Sequence, residues 1–339
     1  MPNASSRRGR SASTLRELEQ HMALSFQTIQ NKNLSNSAPF IFDFGDTLQQ
    51  SIVGPAYFKL SYGEDHNYEF SKMALTLANS PTGNAGTSVQ TSVTAILEDD
   101  DHSINLGESF ISLSAIGVVG SGKDYTVQLG TQSNVPSGAT ETRICDNASP
   151  SVQNFAVMMS GFSMAYNTAI HRFWNAKTVL TANDKQDDGL YASITGYCKN
   201  DDNAETDENS FNLIGLTTAA TSNDQKEPPL LLIKRWKGQH SSDNVPIDFS
   251  NDLKNGYVID TVLVFITDFC VCYADRTGST DHEITGIGAG CKTWTGSGQK
   301  TVTLTQPHAF VWQTGFGEDK QDDSTSYVEL LIVVTQRLP

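Results

Sequence analysis

From Pro39 onward the chain reads as short runs of β-favouring residues, several of them alternating apolar and polar, separated by Gly, Asn, Asp and Pro clusters. The runs "FIFDF", "AYFKLSY", "TSVQTSVTAIL", "SFISLSAIGVV" and "DYTVQL" form a first set. "LYASITGY", "SFNLIGLTT", "PLLLIKRWK", "YVIDTVLVFITDFCVCYA", "KTVTLTQ", "HAFVWQT" and "SYVELLIVVTQ" form a second. Alternation at period 2 predicts half-buried strands, and about a dozen of them without regular intervening helices argue against βαβ repeats. The expected fold class is all-β: an antiparallel jelly-roll sandwich over residues 33–339, with a single domain favoured over a division near the acidic stretch 199–210.

Two segments carry a helical period instead. Thr14 followed by Glu17 forms a capping box, and Leu15, Leu18, Met22, Phe26 and Ile29 recur at three- and four-residue steps. This predicts an N-terminal amphipathic helix behind a basic arm, together residues 1–32. In 149–177, Ser149 suits a cap and Pro150 a first helical position. Phe155, Met159, Phe162, Tyr166, Ala169 and Phe173 then follow helical spacing, so a helix inserted against the sheet is expected. Gly161 is unfavourable in its middle.

Charge adds a polarity that the apolar pattern does not show. The 339 residues carry a formal net charge of −15. Residues 1–16 hold Arg7, Arg8, Arg10 and Arg16 and no acid, so +4 sits in the arm and −19 in the remainder. An acidic body repels polyanions such as nucleic acid and anionic lipid. No run of 18 apolar residues occurs, so no membrane span is expected. The arginines precede no apolar stretch, which argues against a secretory signal; an Arg- and Ser-rich start also fits a transit peptide. Five scattered cysteines do not make a disulfide framework.

The stretch "AIGVVGSGKDYTVQLG" places Gly117, Gly122 and Lys123 at the spacing of a phosphate-binding loop. Such a loop needs a hydroxyl after the lysine and a helix behind it, and here Asp124 is followed by the β-favouring Tyr125, Thr126 and Val127. "TWTGSGQKTVTLTQ" repeats the Gly-Ser-Gly between two strand-like runs, so both are read as glycine hairpins. No nucleophile elbow and no H-E-x-x-H occurs, and Cys270 with Cys272 lack a second pair for zinc. The chain is therefore expected not to be an enzyme. The acidic clusters "EDDDH", "NDKQDDG" and "EDKQDD" do not spell an EF-hand. Their Asp100, Asp101, Asp187, Asp188, Asp322 and Asp323 are candidate calcium ligands at contacts between subunits.

The order of a basic arm, an amphipathic helix, an acidic strand-rich body and a final run "SYVELLIVVTQRLP" resembles coat proteins of small icosahedral viruses with a jelly-roll fold. The resemblance implies a virion protein that assembles with copies of itself into an icosahedral shell. In that shell Arg7, Arg8, Arg10 and Arg16 would face the viral nucleic acid. No cofactor is implied beyond calcium at subunit interfaces. The arm is shorter in basic residues than many such arms, so other cations would complete the charge balance. The alternative is a non-catalytic jelly-roll carbohydrate-binding module or adhesin, in which Trp236, Trp294 and Trp312 stack on a sugar.

Overall fold

Twenty strands form among the described residues of the computed structural model, which are 23–35, 39–63, 67–82, 86–120, 127–148, 152–167, 170–185, 188–219, 231–239, 243–274, 282–313 and 322–339. They are β1 (Ala23–Asn33), β2 (Phe40–Asp43), β3 (Leu48–Ser61), β4 (Lys72–Thr82), β5 (Ser88–Glu98), β6 (Phe110–Val119) and β7 (Val127–Pro136). Next come β8 (Thr142–Cys145), β9 (Val152–Ala165), β10 (Phe173–Lys185), β11 (Gly189–Asn200), β12 (Glu208–Ala219) and β13 (Leu232–Gly238). The last are β14 (Val245–Asp248), β15 (Val258–Cys272), β16 (Gly286–Gly290), β17 (Thr293–Thr295), β18 (Thr301–Thr305), β19 (His308–Trp312) and β20 (Tyr327–Arg337).

The strands make four sheets in the orders β1-β6-β3-β16-β19 (first), β2-β5-β4-β9-β12-β7 (second), β13-β20-β15-β10-β11-β8 (third) and β14-β18-β17 (fourth). Each ladder among the described residues is antiparallel. The all-β, antiparallel expectation therefore holds.

The three large sheets pack on one another through strands that are buried on both faces. In β15, every residue from Val262 to Val271 is buried. Val262, Val264 and Ile266 enter one apolar cluster, whereas Leu263 and Phe265 enter another. In β20, Leu330, Ile332 and Val334 join the first cluster and Leu331 and Val333 the second. The period-2 geometry of a strand is kept, but it alternates between two cores in place of core and solvent. Phe58 of β3, Phe162 of β9 and Phe269 of β15, one from each large sheet, meet with ring centroids 5.2–5.5 Å apart.

Neither expected helix is seen. Residues 1–22 lie outside the described residues, but Phe26 and Ile29 belong to β1, which pairs with β6. Leu24 and Phe26 pack on one cluster and Ile29 on the other, so a strand contacting two cores produces the three-residue step that resembled a helix. In 149–177, the described residues 152–165 form β9, which pairs with β12 and β4. Ala156 to Phe162 are all buried, and a continuous apolar run of this kind has no period that separates helix from strand. Phe173 starts β10.

The two glycine turns also differ. Residues 296–300 do close a hairpin between β17 and β18, with Gly298 at φ +77°. Gly122, Lys123 and Asp124 lie outside the described residues, but the strands that flank them, β6 and β7, belong to the first and second sheets. Among the described residues β6 and β7 do not pair with each other, so the expected hairpin between them is corrected. Gly117 sits inside β6, where a Cβ would come within 2.8 Å of the Phe44 ring.

Candidate functional site

Of the candidate ligands and contact residues, Arg7, Arg8, Arg10, Arg16 and Asp187 lie outside the described residues. The others sit on turns that their own loops organise. In the loop after β5 the ordering carboxylate is Asp99, which accepts the amides of Asp101 (2.8 Å) and His102 (2.5 Å) and lies 3.0 Å from His102 Nδ1. The His102 ring stacks on Tyr68 at 3.8 Å, while Asp100 and Asp101 are exposed. Asp188 accepts the Tyr191 hydroxyl at 2.6 Å. Asp322 accepts the amide and hydroxyl of Ser324 (2.9 and 2.6 Å) and the Thr325 hydroxyl (2.9 Å). The Ser324 hydrogen bonds hold its carboxyl below the usual carboxylate range. Among the described residues no three His, Cys, Asp or Glu side chains gather into a metal-binding group.

Trp236, Trp294 and Trp312 lie in three different sheets. Trp294 is buried and its indole donates to Val262 O at 3.1 Å. Trp236 lies against Gly238, and Trp312 lies over Gly286 with Lys59 Nζ 4.5 Å from its ring centre. All five cysteines are free thiols; burial pushes Cys270 up to about 11, so it is held as a neutral core thiol.

Sequence reading passed over a strongly perturbed carboxylate among the described residues, although a signal for it was present: an acid inside the apolar run "VFITDFCVC". Asp268 of β15 is buried to 5% exposure. β10 pairs with β15 only through Asn175, Ala176 and Lys177. Beyond that point side chains bridge the strands: the Phe269 amide donates to Thr178 Oγ1 (2.9 Å), and the Leu180 amide donates to Asp268 Oδ1 (2.6 Å). Desolvation, and then the neighbouring Glu329 carboxylate, raises Asp268 to about 7, against the Leu180 hydrogen bond and the Lys237 and Arg235 cations. Arg235 lies 3.1 Å and Lys237 3.8 Å from the Glu329 carboxylate, and Lys237 also sits 3.8 Å over the Tyr327 ring. The cluster can take up and release a proton near neutral pH.

A recess of about 270 Å³ is lined by Trp174, Asp201, Asn203 and His282. His282 is buried edge-on between Trp174 (5.4 Å) and Tyr273 (4.9 Å), with Nδ1 3.8 Å from Asp201 Oδ2. No Ser, Thr or Cys nucleophile is among the described lining residues.

No family model, no curated protein and no solved structure matches this chain.

Proposed function

We propose that the chain is a structural subunit that assembles with copies of itself into an icosahedral shell enclosing a viral genome, a virion protein without catalytic activity. Its antiparallel body would be the tiling unit, as a jelly roll or a variant built on three sheets. The observation that carries the proposal is the edge of the second sheet. Among the described residues β2 pairs only with β5, and it turns Ile41, 62% exposed, away from the core that buries Phe42. An edge strand with an exposed aliphatic side chain is a template for association with another chain. Ile41→Lys is expected to weaken assembly by about tenfold or more, the effect of losing one buried aliphatic contact. Sedimentation velocity and electron microscopy read this directly. A wild-type chain that stays monomeric across salt, pH and calcium, with no particles, would overturn the proposal.

In the same proposal the arm binds nucleic acid through Arg7, Arg8, Arg10 and Arg16. Four phosphate contacts predict that affinity falls roughly 50-fold (single strand) to about 150-fold (duplex) between 50 and 200 mM salt. Filter binding of the full chain measures it, and replacing all four arginines by glutamine is expected to remove most of the salt dependence. Calcium at subunit contacts, with Asp100, Asp101, Asp187, Asp188, Asp322 and Asp323 as ligands, belongs to this proposal too. Particles that loosen in a chelator and close again with added calcium would support it.

A second reading, a non-catalytic carbohydrate-binding module or adhesin, is favoured by one observation: a recess in the second sheet lined by uncharged polar groups.

A further inference from the structure

The second sheet splits along its length. β4 pairs with β9 from Lys72↔Ala165 to Leu75↔Phe162, and it continues beside β5 as far as Thr82 without β9. The gap that opens is a recess of about 480 Å³. One wall is the far half of β4, including Leu77 and Asn79; the other is built from β9, β12 and β7, and Ser51 of β3 lines it from the first sheet.

Two irregularities in adjacent ladders meet at that wall. Between β12 and β9 the register passes from Asn212↔Gly161 to Leu213↔Met159, which leaves Ser160 as an extra residue. Between β12 and β7 it slips from Phe211↔Val135 to Leu213↔Gln132, which places Ser133 and Asn134 opposite Asn212. Bulges re-aim side chains, and here Ser160, Ser133 and Asn212 all line the recess. Asn134 adopts φ +56°, and its amide donates to Asn212 Oδ1 at 3.0 Å, which fixes the Asn212 amide plane. On the opposite wall the Thr91 hydroxyl donates to Asn79 Oδ1 at 2.8 Å and fixes that amide in the same way. Each asparagine thus has its acceptor engaged and an NH₂ donor left for a ligand.

The lining contains hydroxyls, amides and the apolar side chains of Leu77, Val89 and Ile214, and among the described residues no ionisable group, although the chain as a whole carries −15. Neither an anion nor a cation finds a charged partner there. A neutral ligand with many hydroxyls does, because amide donors and serine hydroxyls pair with its oxygens while its C–H face covers the apolar patch. The volume falls within the range of roughly 300–1,000 Å³ that small-ligand sites occupy. From these observations we infer that the split between β4 and β9 is a binding site for a neutral saccharide of one or two rings. The inference rests on the second reading above and is independent of assembly.

The test is saturation-transfer NMR and calorimetry of the full chain with neutral monosaccharides and disaccharides, with an acidic saccharide as a control. Two variants go beside the wild type: Asn212→Leu, and Ser133→Trp, which fills the recess from an exposed position. Saturable binding of a neutral sugar is expected, weakened about tenfold by Asn212→Leu, the loss of one ligand hydrogen bond, and abolished by Ser133→Trp. Circular dichroism establishes that each variant is folded. Should Asn212→Leu fail to fold, Ser133→Trp alone decides. Sugar binding unaffected by a folded variant would remove the assignment to this recess and leave the binding-module reading standing. A preference for the acidic saccharide would overturn the neutral assignment, and absence of saccharide binding would overturn both.

Discussion

Replacing Asp268 by Asn is expected to stabilise the protein above pH 7 and to leave it nearly unchanged at pH 4. The folded state raises this carboxyl from the ordinary 3.8 to about 7, so between those values the native protein binds a proton that the unfolded chain has released. Stability from this group is therefore greatest below about pH 4 and declines as pH rises through 7. The full effect approaches roughly 4 kcal/mol, and screening by relaxation and water makes that an upper bound. Asn keeps the oxygen that accepts the Leu180 amide and removes only the charge. The groups that face Asp268 set the window: Glu329 on β20, and Lys237 and Arg235 on β13. Glu329→Gln is expected to move the window to lower pH, because the neighbouring negative charge is gone. Urea unfolding at pH 4.5, 6 and 8 tests this. A difference between wild type and Asp268→Asn that is the same at all three pH values would show that the carboxyl does not titrate there.

The other large effect is expected at Phe269. Its ring touches Phe58 of the first sheet and Phe162 of the second, and the residue itself belongs to the third. Truncation to Ala leaves a cavity where three sheets meet, and neither neighbouring ring can close it without moving its own strand. A loss of about 3–5 kcal/mol is expected, as for buried aromatic residues generally. Phe155→Ala, at a ring 40% exposed, is the control and is expected to stay near neutral, about 1 kcal/mol or less. Equal losses at the two sites would refute the central placement of the triad. Chemical denaturation followed by intrinsic fluorescence gives both values.

The strand content was legible where one strand face met a core and the other met water. "TSVQTSVTAIL" became β5, and "KTVTLTQ" became β18 with alternating burial. Strands whose two faces meet two cores lose that alternation. In "YVIDTVLVFITDFCVCYA" the β-branched and aromatic residues still indicated a strand, whereas in "SVQNFAVMMSGFSMAYN" the three- and four-residue steps from Phe155 to Met159, Phe162 and Tyr166, behind Ser149 and Pro150, pointed to a helix. That β6 and β7 lie in different sheets was not legible, because a glycine-rich stretch looks alike in sequence whether the next strand returns beside the last or passes to another sheet. The order of sheets, which decides between the two, depends on pairings far apart in the chain.

The site residues divide in the same way. Carboxylates in loops are conspicuous in a sequence, and Asp188 and Asp322 are engaged by their own turns. Asp268 could have been noticed as a lone acid in an apolar run, but its proton affinity comes from burial between packed strands and then from Glu329 on another strand. Nothing in the local sequence marks Ser133, Ser160 and Asn212 as neighbours, since two register slips and the parting of β4 from β9 bring them together. Sequence alone determined the all-β, antiparallel character and the separation of a basic arm from an acidic body, because residue type and short-range alternation carry both. Only the tertiary structure decided that three sheets share two cores, that residues 152–165 of the helix expected over 149–177 form a strand, and where a recess opens whose described lining residues carry no charge. Each of these is set by which distant strands pair, and a strand's own residues specify its faces without naming its partners.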